Sequence, residues 1–91
     1  MTPLPLPPRL DLSQVGALTT AIRARAGAGL VLDAGEVTHL GGLGLQVLLS
    51  AAQSWRAAGQ SLSINPRSEA FDEALTLFGV GLDAVQSQEA A

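Results

Sequence analysis

The stretch Leu30-Val31-Leu32-Asp33-Ala34-Gly35-Glu36-Val37-Thr38-His39-Leu40-Gly41-Gly42-Leu43-Gly44-Leu45-Gln46-Val47-Leu48-Leu49 decides the fold class. It opens on a short apolar run bounded by Gly29 before and Asp33-Ala34-Gly35 after, as a buried parallel strand would be. Val37 to Leu40 lead into the glycine cluster Gly41-Gly42-Leu43-Gly44. Beyond it Leu45, Leu48, Leu49 and Ala52 mark one helical stripe, and Gly59 stands where the helix stops. Leu43, Gln46, Ser50 and Gln53 recur at helical spacing on another face, which is polar apart from its first member.

Upstream, Pro3, Pro5 and Pro7 alternate with Leu4 and Leu6. Successive N–H groups of a strand point to opposite edges, so all three missing donors fall on one edge. The segment reads as an edge strand that pairs on its other side, or as a polyproline II lead-in. Ser13 is the expected N-cap of a first amphipathic helix carrying Val15, Leu18 and Ile22 and ending near Ala26, with Gly27 and Gly29 turning the chain out.

Downstream, Ser61-Leu62-Ser63-Ile64 alternates as a strand and Asn65-Pro66 is expected to break it. Ser68 then caps a third helix whose acidic start, Glu69, Asp72 and Glu73, suits the positive end of the helix dipole. Phe71, Leu75 and Phe78 are its expected core face, Gly79 ends it, and Leu82 to Val85 add a final turn. The alternation of strands and helices predicts an α/β fold, a mixed sheet of about four strands with helices packed mainly on one face.

With 91 residues, 47% of them hydrophobic and 14% charged, the chain is one globular domain, 1–91, with about 1–5 and 86–91 expected to fray. Five Arg against eight acids, a net charge of −3, offer no footprint for phosphate backbones, so nucleic acid is not an expected partner. No Cys and a single His leave no thiolate chemistry and no protein-only zinc site, and no cofactor is expected. The proline-rich start has no basic leader and is not a targeting segment, and no apolar run is long enough to cross a bilayer. The expected location is cytoplasmic, without membrane insertion.

Few residues offer chemistry. The glycine cluster sits where free N–H groups favour an anion, yet it matches neither phosphate-loop nor dinucleotide spacing, and its expected role is backbone packing, Gly allowing a tight turn and close helix approach. His39 next to Asp33 or Glu36 has the makings of a general base with its orienting carboxylate, with Thr38 or Ser50 as nearby hydroxyls, but no nucleophile elbow is present. A structural or partner-facing His39 is the expected role, no catalytic residue is assigned, and Trp55 belongs to the core or its margin.

Taken in order, Leu10-Asp11-Leu12-Ser13, Leu32-Asp33 with Val37-Thr38, the glycine-rich helix start, Gly59, and Ser68 to Gly79 resemble a minimal STAS domain, the module of sulphate transporters and anti-sigma factor antagonists, over roughly residues 6 to 85. The resemblance implies a STAS-like fold and a non-enzymatic role in bacterial signalling. In the family a D-S-S-G loop opens the second helix, and its Ser, or a Thr one place earlier, is phosphorylated by a cognate serine kinase that is also the anti-sigma factor or switch partner.

Laid over the family pattern V-T-F-I-D-S-S-G-L-G, the Asp position is Gly41, the two hydroxyl positions are Gly42 and Leu43, and the motif Gly is Gly44. Neither Gly42 nor Leu43 can take a phosphate, so the family's phosphoacceptor is missing. Stand-alone STAS proteins with a similar L-G-G-L-x-L-Q-V-L-L helix start occur in chemotaxis and two-component gene neighbourhoods. The resemblance implies a partner-binding surface of Thr38, His39, Gly41, Gly42, Leu43, Gly44, Gln46, Ser50 and Gln53, facing a serine kinase, anti-sigma factor or chemotaxis component. A regulatory subunit of a lipid-transport ATPase is the alternative within the family, and a small hydrolase the alternative outside it.

Overall fold

The computed structural model describes residues 2–88. Along them run β1 (Leu4–Pro5), β2 (Arg9–Leu10), α1 (Leu12–Arg23), β3 (Leu30–Ala34), β4 (His39–Leu40), α2 (Gly42–Ala57), β5 (Leu62–Arg67), α3 (Glu69–Phe78) and a final 3₁₀ turn, Leu82–Val85. The α/β class is the one the alternation of strand and helix patterns predicts. The strands form two parallel ladders, β1-β3-β5 and β2-β4, and Leu62 adds an antiparallel bridge to Ser87.

The prolines act as their parity predicts. β1 lies at the sheet edge and pairs only with β3, and the Leu6 N–H donates to the Asp33 carbonyl at 2.8 Å. The donors that Pro5 and Pro7 lack are not needed on that side.

Sheet register explains the core. Leu4 is opposite Leu32, and Leu30 and Leu32 are opposite Leu62 and Ile64, so these side chains share one face of the sheet. That face is buried, whereas Val31, Asp33 and Ser63 on the other are only half-buried. The run Leu30-Val31-Leu32 is therefore not buried on both faces: helices cover one side and Val31 borders solvent. The core joins these leucines to Leu18 and Ile22 of α1, Leu45, Leu48, Ala52 and Trp55 of α2, and Phe71 and Leu75 of α3.

Four local expectations are corrected. The N-cap of α1 is Asp11, whose carboxylate accepts from the Ser13 backbone N–H at 3.2 Å and from the Ser13 hydroxyl at 2.7 Å. Ser13 instead sits inside the first turn, because the helix begins at Leu12. β5 does not break at Asn65-Pro66: the ladder shifts register between Leu32 and Ala34, and pairing resumes at Arg67 opposite Ala34. A shift at this point takes the missing Pro66 donor out of the ladder.

Phe78 is 46% exposed: it is the last residue of α3 and borders the open groove beside β4 instead of entering the core. The segment from Gln86, expected to fray, is held as far as Ser87. Ser87 and Leu62 exchange backbone hydrogen bonds of 2.8 Å, and the Gln86 side-chain oxygen accepts from the Ile64 N–H. Leu4 and Pro5 are likewise held in β1, while Met1 and 89–91, also expected to fray, lie outside the described residues.

Candidate functional site

The α2 face forecast from spacing is exposed. Leu43 is 50% accessible, and Gln46, Ser50 and Gln53 follow it on the outer side, while Leu45, Leu48, Ala51, Ala52 and Trp55 face the core. Trp55 is 5% exposed and donates its indole N–H to the Ala28 carbonyl at 2.8 Å, which makes it a core residue with its polar atom satisfied. Leu49 is half-buried at the margin of the stripe.

Leu43 is not isolated on this face. Between α1 and α2 runs an open groove of about 360 Å³ in which Leu43, Gln46 and Ser50 meet Val15 and Thr19 of α1 and Val47 of α2, with Arg23 at its far end. Val15 and Val47 were not among the residues expected at the site. Their half-burial depends on how two helices distant in sequence pack together, and the one local signal was that both lie at the edge of an apolar stripe.

The nine expected site residues divide between two surfaces. Thr38 and His39 line a different groove, of about 300 Å³, between β4 and α3 with Leu40, Ala74, Leu77 and Phe78. Thr38 is held there by its backbone: its N–H and its hydroxyl both donate to the Pro8 carbonyl. Gly41 is the half-buried α2 N-cap, and Gly42 is exposed beside it.

Gly44 is withdrawn from the contact surface. It is buried against Leu10, where it lets α2 approach the β2 backbone. The close-packing explanation of this glycine is the one the geometry favours.

His39 forms no hydrogen bond or ion pair with Asp33 or Glu36; the Asp33 carboxylate accepts from the Gly35 N–H instead, at 2.9 Å. The base with an orienting carboxylate is thus not assembled. At the α1 cap the Ser13 hydroxyl hydrogen bond, aided by the Ser13 N–H and by Arg9, holds the Asp11 carboxyl below its ordinary value despite the opposing effect of desolvation. Among the described residues no helix is long and apolar enough to cross a membrane.

A family model described as "Mlab, STAS domain" matches residues 4–85. The chain belongs to the STAS domain family. No curated protein and no solved structure matches it. STAS domains are in general interaction modules of the anti-sigma factor antagonist kind rather than enzymes. Gly42 and Leu43, the residues that the resemblance sets against the family's two hydroxyls, are the first residues of α2, Gly42 exposed and Leu43 half-exposed.

Proposed function

We propose that this STAS domain is a cytoplasmic, non-enzymatic signalling module that docks on a kinase-like, anti-sigma or chemotaxis partner through Gly41, Gly42 and Leu43 at the start of α2 and the outer face of that helix. The observation that carries the reading is the placement of Leu43. It stands where the family carries a switchable hydroxyl, projects at the surface, and continues into the groove bounded by Val15 and Val47.

An unmodified serine at this position presents a neutral face and a phosphoserine a face carrying about −1.5 to −2 charges. Leucine presents a neutral face permanently and adds apolar area for burial, worth about 1.5–3 kcal/mol if fully covered. Such a domain is held in the docking-competent state, and regulation lies in its partner or its abundance. Gln46, Ser50 and Gln53 surround the anchor with neutral hydrogen-bonding groups, as at the polar rim of an interface.

The Mlab element in the family's description keeps the lipid-transport reading beside this one, with the same face seated on a transporter ATPase. Affinity capture from the native cell, with the captured protein identified by mass spectrometry, separates the readings. A kinase-like, anti-sigma or chemotaxis protein is the expected result, and a transporter ATPase would move the assignment to the second reading. Ester turnover that is lost in His39→Ala would overturn both.

A further inference from the structure

The outer side of α3 has features that neither the fold nor the α2 face uses. Leu77 is 87% exposed and its neighbour Phe78 46%, at the C-terminal end of the helix. Steps of four residues align Glu69, Glu73 and Leu77 along one side of the helix. Beside that line, Ala70 and Ala74 are small, and they leave a trough against Thr38, His39 and Leu40 at β4.

Outside the ion pairs, the charged groups on the α3 side of the trough are carboxylates. Asp72 is paired with Arg67 at 2.9 Å, but Glu69 and Glu73 enter no ion pair among the described residues. Glu69 and Asp72 lie in the first turn, where they favour the helix dipole; Glu73 lies beyond it and Leu77 contributes nothing to the core. On the opposite rim, Arg9 stands next to His39 in the β2-β4 ladder, but its guanidinium is directed to Asp11 at 3.4 Å. What remains is a largely apolar trough with the unpaired carboxylate of Glu73 on its outer rim and that of Glu69 one turn earlier on the helix.

We infer that this side of α3 is a second docking surface, fitted to a basic amphipathic helix of a partner protein. Apolar side chains of that helix enter the trough over Ala70 and Ala74 and cover Leu77 and Phe78, while its Lys or Arg residues reach Glu69 and Glu73. Charge excludes the other occupants: a second copy would set acidic rim against acidic rim, and an anionic membrane would be repelled. The trough shares no lining residue with the α2 groove.

The test uses the full chain and two labelled synthetic helical peptides of equal length, one of leucine and lysine and one of leucine and glutamate, followed by fluorescence anisotropy. The lysine peptide binds and the glutamate peptide does not. Affinity falls by at least about tenfold in Leu77→Ser and in the double variant Glu69→Gln/Glu73→Gln, and added salt weakens binding to the parent. Leu77 is too exposed for its replacement to unfold the domain, and an unchanged thermal midpoint verifies this. Equal binding of both peptides, or full affinity in both variants, overturns the proposal. So does a dimer of the parent in sedimentation that Leu77→Ser dissolves, since the surface would then serve a second copy.

Discussion

Gly44 of α2 lies so close to Leu10 of β2 that a Cβ on it would sit 2.7 Å from the Leu10 carbonyl oxygen and 2.8 Å from the Leu10 Cβ. The obstacle is largely backbone, and that backbone is committed: Leu10 pairs with Leu40, and its carbonyl accepts from the Gly41 N–H. Gly44→Ala is therefore expected to lower stability by about 1–2 kcal/mol, because overpacking of ~1–3 kcal/mol exceeds the ~1 kcal/mol that alanine gains in helix propensity. A Cβ on Gly42, two residues earlier, meets nothing within 4 Å, and Gly42→Ala should stabilise by up to about 1 kcal/mol. Chemical denaturation of the two variants shows shifts of opposite sign.

Ser68 joins two elements through one hydroxyl. Its oxygen accepts from the Phe71 N–H at 3.0 Å as the cap of α3, and its proton goes to the Val37 carbonyl in the loop before β4. Ser68→Ala removes the cap and leaves a carbonyl unpaired, at a combined cost of about 1–2 kcal/mol. The exposed pair Arg67–Asp72 next to it contributes little, and Asp72→Asn should change the midpoint far less than Ser68→Ala.

Asp11 supplies the pH dependence. Its folded-state pKa lies below the unfolded value, so its stabilisation is complete above the ordinary carboxylate range and is lost as pH falls through the lowered folded value. The thermal midpoint of Asp11→Ala should lie below the parent's at neutral pH. The two midpoints should converge in acid, and a gap that persists at the lowest pH would show that the loss is not electrostatic.

The sequence made most of this legible wherever a local rule governs position. Proline parity placed β1 at the edge, helical phase placed Leu43 outward, and Ser68 was recognisable as a cap. What escaped it depends on neighbours. Asp11 and Ser13 are both good caps two residues apart, and only the start of α1 at Leu12 decides between them. Phe78 has the phase of a core residue, but nothing is packed over it. The end of β5 was misplaced because a register shift carries pairing past Pro66, and Val47 joined the site only when α1 packed beside α2.

Phosphate should be absent from residues 36–50. Gly42 and Leu43 offer no hydroxyl, Thr38 spends its own on the Pro8 carbonyl, and Ser50 lies within α2, where a kinase is hindered from engaging the backbone as a loop. Incubation with the partner kinase and ATP, followed by mass spectrometry, checks this; stoichiometric modification in that span would restore a phosphorylation switch.

The affinity of Leu43→Asp for the signalling partner, measured together with its thermal midpoint, tests the proposed docking face most directly. Binding should weaken by at least about tenfold, ~1.4 kcal/mol, with the midpoint nearly unchanged, because the side chain is half-exposed and outside the core. Full affinity in the folded variant would remove Leu43 and the α2 face from the interface and contradict the account.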